Sequence, residues 1–239
     1  MRRRGAAILP NAEASRCRPP IAFEPPFPLV QQPELWVVTT APREQWSGAG
    51  VGWSEDGDGF HRAGDSIGHD AVTGTLLEPL GLDGDDVSVR VAMDDGGKLR
   101  SYDDAAALRL QSECYLGDGR NGFEIVAFTG MRLEGQDGHA YVYRMHGRLV
   151  RGAYGTQVRE WGVGTRFARI DGAVCRIALP HRIVAARAQL MLKLVSVNAA
   201  GDADSIDDPA DADRVPYDVQ GTFYDSAAGG VVWMRSSQR

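Results

Sequence analysis

Long apolar runs are missing from this chain of 239 residues. No stretch approaches the roughly 20 residues that a membrane-spanning helix requires, so no membrane span is expected. An excess of basic residues is missing as well. The net charge of -6 argues against a surface that neutralises many phosphates, and no nucleic-acid partner is expected. Cysteine is scarce: Cys17, Cys114 and Cys175 stand too far apart for a paired zinc-ligand motif, and an odd number cannot close a disulfide set. Reduced, buried thiols are the expectation. After Met1-Arg-Arg-Arg4 only the short Ala6-Ala-Ile-Leu9 precedes Pro10, too little for the apolar core of a signal peptide, so folding in a reducing cytoplasm is expected.

The common motifs of catalysis are absent too. The sequence has no His-Glu-x-x-His, no Gly-x-Ser-x-Gly, no P-loop and no dinucleotide fingerprint, and it lacks the alternation of strands and helices those folds need. His61, His69, His139, His146 and His181 are scattered without a carboxylate at metal-ligand spacing. A glycosidase needs only two suitably placed carboxylates, from a set such as Glu78, Asp94, Asp95, Glu113 and Glu124. Among 32 acidic residues such pairs arise by chance. Ser54-Glu-Asp-Gly-Asp-Gly59 places a glycine where a calcium loop has one, yet position 12 is Asp65 and no helices flank it, so a tight hairpin explains it better. The reading is of a protein that is not an enzyme and carries no cofactor or metal.

What is present is β-pattern. Hydrophobic content of 43% with 24% charged residues is that of an ordinary globular chain with a real core. Residues 1–20 mix arginine, proline and small residues and read as a flexible arm. Ile21 to Val30 alternates apolar residues with prolines, which predicts an extended entry segment that inserts Phe23 and Phe27. Strands are predicted at 35–40, on either side of the 54–59 hairpin, at 72–77, 87–91, 114–116, 123–129, 141–143, 166–170, 174–179, 189–197 and 215–224. The one good helical pattern is Ser101 to Gln111, with Asp103 and Asp104 in its first turn. Asp202, Asp204, Asp207 and Asp208 crowd an acidic loop at 201–213 that a divalent cation would suit, although a solvated loop is the simpler reading.

The fold class that follows is all-β, of sandwich or barrel type, with one short helix and a fibronectin-like C-terminal part. The division expected is an arm at 1–20, a β-rich domain at 21–160, a sandwich part at 161–225 and a tail at 226–239. Tryptophan on a strand is core by default, but Trp46 sits in Glu44-Gln-Trp-Ser-Gly48, which reads as a loop and suggests an exposed interface residue. Leu149-Val-Arg-Gly-Ala-Tyr-Gly-Thr156 is the most distinctive string. Gly152 and Gly155 flank Tyr154, which predicts a sharp bend between two β-rich halves.

Taken in order, Phe23-Glu-Pro-Pro-Phe27, Leu35-Trp-Val-Val, Trp46-Ser-Gly, the Trp53 to Phe60 hairpin, Leu149 to Thr156 and Phe167-Ala-Arg-Ile-Asp171 resemble one family. That family is the C-terminal β-rich region of long-tailed phage tail-tip proteins of the host-specificity J type, related to the baseplate megatron of gene-transfer agents. The resemblance spans roughly residues 20 to 225. It implies a virion structural protein that closes the distal end of the tail, assembles as a trimer with other tail-tip or baseplate proteins, and faces a host receptor. The hub and TIM-barrel-like portions of such proteins are not in this sequence, so a separately encoded piece tethered by the arm before Phe23 is expected. The shared residues are turns and core, and no catalytic role carries over. Two other readings stand beside it: a receptor- or carbohydrate-binding module with Trp46 or another exposed aromatic as sugar platform, and a tail-associated glycan hydrolase.

Overall fold

The computed structural model describes residues 16–27, 29–42, 46–96, 98–118, 122–137, 140–170, 172–198 and 213–227. The acidic loop with its candidate cation ligands, His139, and most of the expected arm and tail lie outside the described residues. Thirteen strands run in chain order: β1 (Ile21–Phe23), β2 (Glu34–Val38), β3 (Trp46–Ser54), β4 (His61–Gly68), β5 (Thr73–Leu76), β6 (Val87–Met93), β7 (Glu113–Gly117), β8 (Phe123–Asp137), β9 (Ala140–Val150), β10 (Arg166–Arg169), β11 (Cys175–Ala178), β12 (Gln189–Asn198) and β13 (Asp213–Asp218). Two short helices interrupt them, α1 (Asp104–Leu108) and α2 (His181–Ala186). The protein is all-β, built of antiparallel sheets with little helix.

Six strands close a barrel in the order β10-β5-β6-β9-β8-β7. Its interior follows from period-two alternation: Val87, Val89, Val91 and Met93 on β6, Val126 and Phe128 on β8, and Tyr143 and Met145 on β9 share one apolar cluster. Closure depends on β10, which pairs with β5 through Phe167↔Gly74 and with β7 through Phe167↔Leu116. A three-stranded sheet, β1-β2-β11, and a four-stranded sheet, β13-β12-β3-β4, complete the architecture. Their inner residues, such as Val37, Val51, Ile177 and Leu192, form a second core with Tyr115, Ile125 and Ala168, which lie on barrel strands. The barrel is thus joined to both sheets through shared apolar contact.

The boundary expected at residue 160 falls inside this arrangement. β10 belongs to the barrel, β11 pairs with β2, and β12 pairs with β3. Long-range strand pairing overrides the composition shift that suggested two parts. β8 and β9 are also longer than the expected 123–129 and 141–143. Register shifts at Phe128/Gly130 and Leu133/Gly135 carry the pair past residues whose outward arginines and glycines look like loop. The last expected strand, 215–224, stops at Asp218, and residues 222–227 are helical.

The helical pattern at 101–111 condenses to α1, whose N-cap Asp103 accepts the amide of Ala106 at 2.6 Å. A second helix absent from the sequence reading, α2, begins after its N-cap residue Pro180. No described helix is long and apolar enough to cross a membrane. Cys114 and Cys175 are buried, Cys17 is half-buried, and none of the three is in a disulfide; burial, with Asp65 nearby, pushes the Cys175 thiol up to about 12.

Both ends of the described chain are anchored. Arg18 donates to both oxygens of the buried Asp95 carboxylate at 2.9 and 3.0 Å, and its amide donates to Thr40 at 2.7 Å. Residues 16–20 are therefore docked on the fold, contrary to the free arm expected there. Glu24, also buried, accepts the amides of Gln220, Gly221 and Thr222 at 2.5, 2.8 and 3.1 Å, tying the entry segment to the start of the 222–227 helix. Phe23 is buried against Trp36, Tyr115 and Phe123, while Phe27 packs edge-on against Phe223. Phe23 is thus inserted into the core, whereas Phe27 is half-buried.

The β3–β4 hairpin is fixed by its turn. Asp56 accepts the amide of Asp58 at 2.9 Å, the Ser54 hydroxyl at 2.8 Å and the amide of Gly59 at 3.2 Å. These donors pull its carboxyl from 3.8 down to about 2. A folded value below the unfolded one contributes stability that is complete above pH 3.8 and lost as pH falls through about 2. Replacing Asp56 by Asn is therefore expected to flatten the decline in urea midpoint over that window relative to wild type. Parallel declines in the two proteins would show that the turn does not depend on the carboxylate.

Candidate functional site

The most distinctive string of the sequence, 149–156, leads the chain out of β9 and toward β10. Leu149 still points into the barrel core. Gly152, Tyr154 and Gly155 then take left-handed φ values of +62°, +56° and +76°, and Ala153–Gly155 forms one 3-10 turn. Glycine carries such φ at no steric cost, whereas tyrosine does so only when its surroundings hold it. What holds Tyr154 is Glu113 at the start of β7, which accepts its hydroxyl. Thr156 completes the turn, donating its hydroxyl to Ala153 at 2.8 Å and accepting the Ile125 amide at 3.0 Å.

The centre of this region is Glu124, which has no solvent exposure. Its carboxylate accepts two bonds from Arg151, from Nε at 2.7 Å and from Nη2 at 2.8 Å. It also accepts the Gly152 amide at 2.9 Å, the Trp161 indole N–H at 2.9 Å and the Arg159 amide at 3.4 Å. Arg151 spends its other donors on the carbonyls of Gly81 at 2.5 Å and Arg159 at 2.6 Å. A buried pair is tolerated only when its remaining hydrogen-bonding capacity is met, and here it is met by backbone from both ends of the 151–161 segment. Trp161 is buried and bridges Leu80 by backbone bonds of 2.8 and 2.9 Å.

The bend therefore does not separate two β-rich halves as expected. It starts a crossover that spans the barrel and delivers β10 between β7 and β5. The other sequence candidates are placed as follows. Trp46 opens β3 and is 5% exposed, so the loop interface residue is a core residue: β3 begins earlier than the Gln-Trp-Ser-Gly stretch suggests, because Trp46 pairs with Asn198 of β12. Its indole N–H makes no hydrogen bond among the described residues. Trp36, Trp53 and Trp161 are also buried, and Trp233 is outside the described residues.

The carboxylates considered as a glycosidase pair each have protein partners: Glu113 accepts the Tyr154 hydroxyl, and Asp94 and Asp95 are linked through the Thr73 and Thr40 hydroxyls. Glu78 accepts the Arg90 amide and faces Arg144, Asp94 accepts the Thr73 hydroxyl, Asp95 holds Arg18, and Glu124 holds Arg151. No three His, Cys, Asp or Glu side chains among the described residues could hold a metal ion.

Sequence reasoning missed one feature. Near Tyr154, a cavity of about 360 Å³ is lined by Glu34 and Trp36 of β2, Glu113 of β7, Arg176 of β11, and Gln31 and Gln32. The Arg176 guanidinium lies 4.6 Å from the centre of the Trp36 ring, and Trp36 donates its indole N–H to Glu34 at 2.7 Å. Burial raises the Glu113 carboxyl above its ordinary value, against the opposing pull of the Tyr154 hydroxyl and Arg176. Burial and the same hydrogen bond push the Tyr154 phenol well up. The alternation Glu34-Leu-Trp36 puts both side chains on one face of β2, but only the fold brings β7 and β11 beside them.

Valine at Gly152 or Gly155 is expected to cost more than about 1 kcal/mol, since a β-branched residue resists left-handed φ. The cost is greater at Gly152, where a Cβ would meet the Thr156 carbonyl oxygen at 2.9 Å and Val158 at 3.0 Å, than at Gly155, where nothing lies within 4 Å. Denaturant unfolding of the two variants gives the order; equal stabilities to wild type would show an unconstrained turn.

Among known proteins, residues 71–168 match the family described as Rcc01698-like, C-terminal. No curated protein matches the sequence. The matched stretch begins two residues before β5 and ends within β10, so it covers the residues that form the closed barrel and its crossover in this chain.

Proposed function

We propose that the protein is a structural component of a phage tail tip or baseplate, acting through protein–protein assembly at the distal end of the tail. The reading rests on the ordered resemblance of its strands, hairpin and Arg-Gly-Ala-Tyr-Gly-Thr string to tail-tip proteins. The observation that carries it is what that string does here. Arg151, Gly152, Tyr154 and Thr156 all spend their polar groups on holding the crossover, which suits a building block rather than a reacting centre.

The same crossover supplies a surface for contact. Leu77 and Leu82 on one side of the Leu80–Trp161 bridge, and Val158 and Val163 on the other, are exposed, Val163 by 66% and Leu82 by 57%. Apolar side chains grouped outside a core mark sites of association. The partners are other tail-tip or baseplate proteins and further copies of this chain, as a trimer, with the host receptor as the outward contact. Neither nucleic acid nor a cofactor enters this role, and the working location is the virion after synthesis in the host cytoplasm. The sugar-platform reading loses the residue that motivated it, because Trp46 is buried.

The test is incorporation. Tagged wild-type protein is expected to co-sediment with assembled particles, and a Leu82→Glu/Val163→Glu variant to fold with an unchanged melting temperature yet stay behind. Wild-type protein that remains a monomer and never enters particles would refute the proposal.

A further inference from the structure

Three charged groups that line the cavity beside Tyr154, Glu34, Glu113 and Arg176, have hydrogen-bonding capacity in hand. Glu34 uses Oε2 for the Trp36 indole N–H, and Glu113 uses Oε1 for the Tyr154 hydroxyl. The second oxygen of each carboxylate accepts no hydrogen bond among the described residues. Arg176 faces the cavity from β11, lying over Trp36. Among the described residues it forms no hydrogen bond and no ion pair with either glutamate. Opposite charges that line one cavity without meeting leave room for a group that bridges them.

The chemistry of that group follows from the charges. A cation would satisfy the two carboxylates but meet the guanidinium; an anion would satisfy the guanidinium but meet the carboxylates. A hydroxyl donates and accepts at once, so neighbouring hydroxyls on one carbon frame satisfy a carboxylate and a guanidinium together. Gln31 and Gln32, which also line the cavity, add amides of the same double character. The volume of about 360 Å³ falls within the range of small-molecule sites.

We propose that the cavity between β2, β7 and β11 binds a neutral polyhydroxylated ligand, a saccharide unit, with Glu34, Glu113 and Arg176 as its hydrogen-bonding residues. Trp36 and Tyr154 are positioning residues: the indole orients Glu34 and underlies Arg176, and the phenol orients Glu113. The turn that the barrel crossover requires thus also sets one wall of the site. This goes beyond the assembly role, which stands or falls by particle incorporation and is untouched by the outcome here.

Saturation-transfer NMR on the full chain tests the proposal with methyl glycosides of glucose, galactose and N-acetylglucosamine as probes. Sorbitol distinguishes a ring from an open polyol, and arginine amide and inorganic phosphate are the charged controls. At least one glycoside is expected to bind, with sorbitol weaker and neither charged probe binding. Glu34→Gln, Glu113→Gln and Arg176→Lys, each close in shape to the original, are expected to weaken that binding about tenfold, the loss of one good hydrogen bond, with unchanged melting temperatures. Binding unaltered in all three variants would place the sugar elsewhere and overturn the assignment. So would the absence of glycoside binding, or binding of arginine amide or phosphate in its place. If any one variant melts early, the other two and the wild-type probe series still decide the matter.

Discussion

The buried carboxylate of Glu124 is the constraint on which the barrel depends. β9 ends on one side of the barrel and β10 must arrive between β7 and β5, so the intervening residues have to cross an end of the barrel without leaving polar backbone stranded. Glu124 solves this by accepting from Arg151 and Gly152 at the beginning of the crossing and from Arg159 and Trp161 at its end. Arg151 closes the circuit onto the carbonyls of Gly81 and Arg159. A pair of buried charges gives little net stability over an apolar substitute, but it punishes any arrangement that leaves one charge alone. Its contribution here is to specify one path for the chain.

Several consequences trace to that path. Left-handed φ at Gly152 and Gly155 follows from the need to turn sharply as soon as Arg151 is seated. Tyr154, forced into the same region, is held by Glu113, and that places a carboxylate at the wall of the cavity shared with β2 and β11. Val158 and Val163 on the crossing, like Leu77 and Leu82, are exposed at the surface. One set of contacts thus completes the barrel and shapes a cavity. The family match over 71–168 coincides with the part of the chain that these contacts organise.

Much of the fold was legible in the sequence because its signals are local. Val87-Ser-Val-Arg-Val91 alternates as a half-buried strand must, and the Asp-Gly turn after Trp53 reads as a hairpin at once. Asp103 and Asp104 marked the start of α1, although Asp103 is its N-cap rather than part of its first turn. What was not legible depends on partners distant in sequence. Trp46 looked like a loop residue because only its pairing with Asn198 makes it strand. The outer halves of β8 and β9 were hidden because Arg132, Glu134, Arg144 and their neighbours face solvent and satisfy one another by ion pairs. The place of β10 in the barrel, which dissolves the expected boundary at 160, is a closure event that no window of sequence contains. The string at 149–156 was recognisable, yet its role became visible only with Glu124 beneath it.

The most direct test of this account is the equilibrium unfolding free energy of Arg151→Met, which keeps the length of the side chain and removes its charge. Leaving Glu124 buried with its principal partner gone is expected to cost about 3–5 kcal/mol. A loss within about 0.5 kcal/mol of wild type, the range of an ordinary surface substitution, would contradict the claim that this pair holds the crossing in place.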